Sequence, residues 1–227
     1  MIKYAGIVLC LINAGFLNHS FYDETSARDA QRGSEYLIAN IIESFPSRYL
    51  IEGQPKACES PWGKAILFHG SDAIVLDTNL LSGMRQFTIE VIFRPDTNGL
   101  PEQRFLHFGE VNGDRVMIET RLTKDGQWYL DTFMKSGQNR QTLVDSTKLH
   151  PLNQWYHAAF VVENGKMTAF VDGKKEIEGE IPFLPFSKGQ TSIGVRLNRM
   201  HWFKGALYKL KITPLVLDSK SFIQLSR

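Results

Sequence analysis

Glu176-Ile-Glu178-Gly-Glu180 sets three carboxylates at alternate positions. In an extended strand they would share one face. Carboxylates held close together are the working groups of glycoside hydrolysis, one as acid and one as nucleophile or base. A second set emerges from alternation. In Phe87–Arg94, Phe87, Ile89, Val91 and Phe93 face one way and Thr88, Glu90, Ile92 and Arg94 the other. In Arg115–Leu122, Val116, Ile118 and Leu122 oppose Met117, Glu119 and Arg121. In Gln127–Met134, Trp128, Leu130 and Met134 oppose Tyr129, Asp131 and Phe133. Glu90, Arg94, Glu119, Arg121, Tyr129 and Asp131 are therefore the candidate ligand-binding residues, expected together on one outer sheet face. Carboxylates and guanidinia suit sugar hydroxyls, and a tyrosine ring suits the apolar side of a sugar. A solvated sheet face with cross-strand ion pairs would show the same pattern.

Other chemistry finds little support. The histidines are His19, His69, His107, His150, His157 and His201, and none stands at zinc-ligand spacing from another. His157 lies within an apolar alternation and reads as a buried, hydrogen-bonded structural residue. His107, Arg121 and Tyr129 are the residue types that a lyase acting on a uronate would need. No G-x-S-x-G, Walker A, G-x-G-x-x-G or H-E-x-x-H run occurs, and no residue is assigned a catalytic role. The chain has 227 residues and a formal charge of +2, with scattered basic residues, which excludes a nucleic-acid partner.

These residues need strands to hold them. The expected strands, besides those above, are Tyr49–Ile51, Ala65–His69, Ile74–Leu76, Arg104–Glu110, Trp155–Val162, Met167–Val171, Lys175–Ile177, Thr191–Val195 and Gly205–Ile212. Asn112-Gly113, Asp125-Gly126, Asn164-Gly165 and Asp172-Gly173 are turn signals, because Asn, Asp and Gly tolerate positive φ. In Trp155–Val162 both alternating sets are apolar, so that strand is expected to be buried on both faces, with Trp155 between the sheets. Glu35 to Glu43 reads as a short helix or turn on the domain edge. The fold class is all-β: an antiparallel two-sheet sandwich.

Trp155-x-His157-x-Ala159, Asn164-Gly165-Lys166 and Phe170-Val171-Asp172-Gly173-Lys174 resemble the W-x-H-x-A, G-K and Y-V-D-G-K run of laminin-G-like domains. Those domains belong to the concanavalin A-like lectin/glucanase jelly rolls. Phe87–Pro95 resembles the family's F-T-I-x-x-W-x-x-P strand, with Ile92 where Trp is usual. Ser192-Ile-Gly194 and Phe203–Leu207 resemble its I-G and F-x-G-x-I ending. The resemblance implies a jelly roll over residues 36–218, with the outer face of the larger sheet concave. It likens Glu176–Glu180 to the E-x-D-x-E run of glycosidases on this fold, but with Glu178 for Asp and on a peripheral strand. It likens Phe68–Asp72 to a turn near the calcium site of some relatives. Asp72 and Asp77 supply few of the six to eight oxygens Ca²⁺ wants, so no cofactor or metal is assigned.

Lys3 followed by the apolar run Tyr4–Leu17 has the shape of a secretory signal peptide, with cleavage expected near Ser20 or Ala27. The expected organisation is a signal peptide at 1–20, a linker at 21–35, the domain at 36–218 and a tail at 219–227. Removal of Cys10 would leave Cys58 without an intrachain partner. The functional expectation is a secreted, extracellular or periplasmic, non-catalytic domain binding carbohydrate or a glycosylated surface. It would touch membrane only through an uncleaved N-terminal segment. The alternatives are a hydrolase or lyase on the concave face, or an envelope or matrix module binding protein through rim loops such as Asp96–Gln103.

Overall fold

The computed structural model describes residues 33–225. The expected signal segment and most of the leader lie outside them. Along the chain come β1 (Ser34–Leu37), a 3-10 helix (Ile38–Ser44), β2 (Tyr49–Glu52), β3 (Lys56–Ser60), β4 (Gly63–His69), β5 (Ala73–Leu76) and β6 (Phe87–Pro95). Next are β7 (Glu102–Gly109), β8 (Arg115–Leu122), β9 (Gln127–Ser136), β10 (Asn139–Val144) and β11 (His150–Pro151). The last are β12 (Tyr156–Glu163), β13 (Lys166–Val171), β14 (Lys174–Glu180), β15 (Gln190–Ile193) and β16 (Lys204–Thr213).

Two eight-stranded antiparallel sheets result. Sheet I runs β14-β13-β12-β6-β16-β4-β3, with β1 also on β16. Sheet II runs β10-β9-β8-β7-β15-β5-β2, with β11 also on β9. Apolar residues from the inner faces meet between the sheets, as alternation requires. Phe93 of sheet I stacks on Phe105 of sheet II at 4.7 Å between ring centroids and meets Trp128 edge-on at 5.1 Å. Asn164 and Gly165 both take positive φ, 49° and 82°, which makes the β12–β13 turn match strand twist. Among the described residues no helix is long and apolar enough to cross a membrane.

Three expectations need correction. Ser34 and Glu35 are not linker, because they pair with Ile212 and Lys211 of β16. The segment after them is, as expected, a short helix, of 3-10 type, whose Ile38 and Ile41 reach the core. Trp155 is not between the sheets. Tyr156 pairs with Phe93 and faces inward with it, so Trp155 and His157 fall on the outer face of sheet I. Trp128 is the tryptophan sealed in the core. Finally, the three carboxylates of β14 do not share one face. A register shift against Ala169 and Phe170 leaves Glu176 as the extra residue. Its carboxylate meets His150 Nε2 at 2.7 Å, whereas Glu178 pairs with Lys166 and Lys175 in solvent.

Candidate functional site

The six expected ligand-binding residues divide between the two outer faces. Glu90 and Arg94 are on β6 of sheet I; Glu119 and Arg121 on β8, and Tyr129 and Asp131 on β9, belong to sheet II. Alternation put each on an outer face but did not say which sheet that face belonged to.

On sheet II the Asp125-Gly126 hairpin is in the expected register: Arg121 lies opposite Tyr129, and Glu119 opposite Asp131. The two carboxylates are nevertheless covered, at 2% and 1% side-chain exposure. Arg104 Nε donates to Glu119 Oε2 at 3.0 Å, Arg121 Nε donates to Asp131 Oδ2 at 2.8 Å, and Arg121 also pairs with Glu102. Burial and then the charge of Asp131, against the pull of Arg104 and Arg121, push Glu119 up to about 7, so it exchanges its proton around neutral pH. Burial raises Asp131 too, against the pull of Arg121. Both arginines are thus committed to neighbours, and Tyr129 is half-buried beside them.

On sheet I, Glu90 is fully buried. Its Oε1 accepts from His157 Nε2 at 3.1 Å and from Ile223 N–H at 2.6 Å, while Lys211 Nζ stands 3.3 Å from Oε2. Burial would raise its pKa, but the bonds from His157 and Ile223 and the charge of Lys211 together hold it below the ordinary range. Arg94 makes a two-pronged bond to Asp96 at 2.7 and 3.1 Å and lies 5.4 Å from the Trp155 ring centre. Glu90 is therefore closed to a ligand, and Arg94 is part-buried and held by Asp96.

Their contacts His157, Ile223 and Trp155 line a cleft of about 890 Å³. Trp62, in the turn between β3 and β4, meets Trp155 edge-on at 6.0 Å and tilts against Tyr208 at 5.7 Å. Gln154, His157, Asp172 and Lys174 line one side, and the C-terminal segment Phe222–Leu225 closes the other. Phe222 is buried against His157 and Phe170 at 5.5 and 5.1 Å between rings. Trp62, Gln154, Lys174 and the C-terminal segment were not among the expected site residues. One signal existed: a tryptophan between Pro61 and Gly63, at a turn, has no strand face to fill.

Asp72 closes a turn. Oδ1 accepts Gln54 N–H at 2.7 Å, and Oδ2 accepts His69 N–H at 2.6 Å with His69 Nδ1 at 2.7 Å. No group of three His, Cys, Asp or Glu that could hold a metal occurs among the described residues.

Domain 4 of AbnA, a GH43 extracellular arabinanase from Geobacillus stearothermophilus, solved in complex with arabinotriose, is similar in structure. It is 20% identical with a TM-score of 0.57, over 83% of this chain and 94% of that one. The SAP-like pentraxin of Limulus polyphemus is 18% identical with a TM-score of 0.56, over 68% and 77%. The binding domain of botulinum neurotoxin DC, in complex with SialylT, is 16% identical with a TM-score of 0.59, over 85% and 49%, so this chain spans about half its length. At these identities the likeness is one of fold. No curated protein matches the chain. The Laminin_G_3 family model, described as the concanavalin A-like lectin/glucanases superfamily, matches residues 68–221. The sandwich, its registers and this match agree: the chain belongs to the laminin-G-like family of that superfamily.

Proposed function

We propose that the protein is a non-catalytic glycan-binding domain whose ligand occupies the cleft walled by Trp62 and Trp155. The observation that carries this reading is the pair of half-buried indole rings beside a cleft with amide, carboxylate and ammonium groups on its floor and rim. Aromatic faces cover the apolar side of a sugar ring, and a few placed polar groups fix its orientation. Two of the structural neighbours were solved with sugars, arabinotriose and SialylT, which supports the class of ligand and not its identity. Export is part of the proposal, supported by Lys3 and the apolar run Tyr4–Leu17. N-terminal sequencing of exported material should find that run removed.

A glycan array followed by titration tests the binding. Trp155→Ala and Trp62→Ala should each weaken the best ligand about tenfold or more, equivalent to ~1.4 kcal/mol. Lys148→Ala, at an exposed residue that does not line the cleft, serves as the control. Equal affinity in all three would remove the cleft from consideration.

One arrangement favours a second reading, catalysis on sheet II: the buried Glu119 carboxyl, pushed up to about 7, faces Asp131 across the hairpin. Product analysis on any glycan that binds separates the two. Turnover abolished by Glu119→Gln, with the fold intact, would establish the enzyme.

A further inference from the structure

The turn Glu110–Asp114 joins β7 to β8, and three side chains close on its carbonyls. His107 Nε2 lies 3.1 Å from Glu110 O, Arg196 Nη2 donates to Val111 O at 3.3 Å, and Arg115 Nη1 donates to Gly113 O at 2.8 Å. The register brings them together. His107 sits between Ser192 of β15 and Met117 of β8, and Arg115 follows two pairs further on, opposite Gly109, the next position on the same face. Arg196 arrives from the loop after β15. The Phe133 ring, 4.9 Å from the Arg115 guanidinium, supports it from β9.

This cluster is less closely balanced than its neighbours: Glu119 and Asp114 act on Arg115, and Glu119 on Arg196, only from beyond ion-pair distance. Arg104 and Arg121 pair with carboxylates. Among the described residues, no carboxylate oxygen comes within 4.0 Å of the Arg115 or Arg196 guanidinium. The Nε atoms of both arginines are buried without a hydrogen-bond partner, as is Nδ1 of the fully buried His107. Leaving such groups unpaired is costly. The local field is positive: burial first, then Arg115, Arg196 and Arg104, push His107 down to about 3, so its ring is neutral. A neutral ring that donates from Nε2 to Glu110 O leaves Nδ1 as an acceptor.

We propose that Arg115 and Arg196 form a second binding site, for an oxyanion, on the outer face of sheet II. The ligand group is a carboxylate, sulfate or phosphate, whose paired oxygens match the fork of a guanidinium. The site is on the other sheet from the aromatic cleft and uses none of its residues.

The test is an NMR titration of the full chain, following arginine Nε–H and histidine ring signals. The probes are sodium sulfate, sodium phosphate and an oligogalacturonate, each against chloride at equal ionic strength. At least one probe should give saturable shifts at Arg115 and Arg196, with the His107 ring responding beside them. Arg196→Gln should weaken that probe about tenfold, the scale of a charged hydrogen bond. Arg115→Gln repeats the test should Arg196→Gln melt early. Preference for sulfate or phosphate identifies an inorganic or esterified oxyanion, and preference for oligogalacturonate a sugar carboxylate; both support the site. No saturable shift with any probe, an equal response to chloride, or unchanged affinity in the folded variant would overturn it. Trp155→Ala should leave this titration unchanged, so failure of the cleft and failure of this site are separable.

Discussion

Trp128 and Trp155 show how one residue type takes two roles by its place in the pleat. Trp128 is fully buried and touches Phe93 and Tyr156 at 5.1 and 5.0 Å between centroids. Trp128→Ala should cost ~3–5 kcal/mol. Trp155 is half-buried on the outer face, and Trp155→Ala should cost about 1 kcal/mol while weakening ligand. Urea unfolding of the two variants checks this, and equal losses would mean the faces are misassigned. Buried titratable groups make a second prediction. Glu119 is raised from 4.5 to about 7, so the native state holds a proton the unfolded chain gives up, and stability falls as pH rises through that window. His107 is lowered from 6.5 to about 3, so the unfolded chain binds the extra proton and stability rises with pH from 3 to 6.5. Between about 4.5 and 6.5 the two slopes oppose. Glu119→Gln removes one of them, so stability of that variant should rise more steeply with pH there than in the parent; parallel profiles would show that Glu119 is not raised. At this scale the sequence was half legible. Alternation put Glu90, Arg94, Glu119, Arg121, Tyr129 and Asp131 on outward faces, but sheet membership is decided by pairing between distant strands, and no local period carries it.

Elements were legible wherever two signals coincided. β8 has the expected bounds, Arg115–Leu122, because alternation and flanking turns agree. β12 is buried on both faces except at its last residue, as its doubly apolar pattern requires. Of the four strands not expected, β1 and β11 are short, and β3 (Lys-Ala-Cys-Glu-Ser) and β10 (Asn-Arg-Gln-Thr-Leu-Val) are polar ribbons at sheet edges. Edge strands pair along one side and carry charge where an inner strand carries apolar residues. The bulge that turns Glu176 away from Glu178 was also invisible, since one extra residue leaves composition unchanged. Two turn glycines allow a test. Gly126 has φ +75° with open space around it, so Gly126→Ala should cost only the left-handed backbone penalty, ~1–2 kcal/mol. Gly165 has φ +82°, and a Cβ there would sit 2.6 Å from Ile181 O, so Gly165→Ala must also displace the β14 end. Thermal melts should rank Gly165→Ala clearly below Gly126→Ala, and the reverse order would contradict the turn geometry.

At the scale of the molecule, chain order and spatial order part company. β6 lies between β12 and β16, so strands distant in sequence frame the centre of sheet I. β16 then delivers the C-terminal segment back across that outer face. Nothing in Asp218-Ser-Lys-Ser-Phe222 announces this, and the run from Ser219 reads as a tail because it has no strand period. Yet Phe222 is 3% exposed, packed on His157 and Phe170, and Ile223 N–H supplies one of the bonds that let Glu90 stay charged while buried. A chain ending at Asp218 should therefore lose more than a loose end. Removal of Phe222 alone should cost ~3–5 kcal/mol, as for other buried phenylalanines. Glu90 would also lose the hydrogen bond from Ile223, which helps hold its pKa below the ordinary range. The cleft would lose one wall, so affinity for any glycan found to bind it should fall with stability. Phe222→Ala separates the two effects by keeping the Ile223 N–H. It should lose the packing energy and retain a low Glu90 pKa, readable by carboxylate NMR. If the chain ending at Asp218 unfolds within about 1 kcal/mol of the parent, the segment is a passenger on sheet I and the wall it makes is not part of the domain's stability.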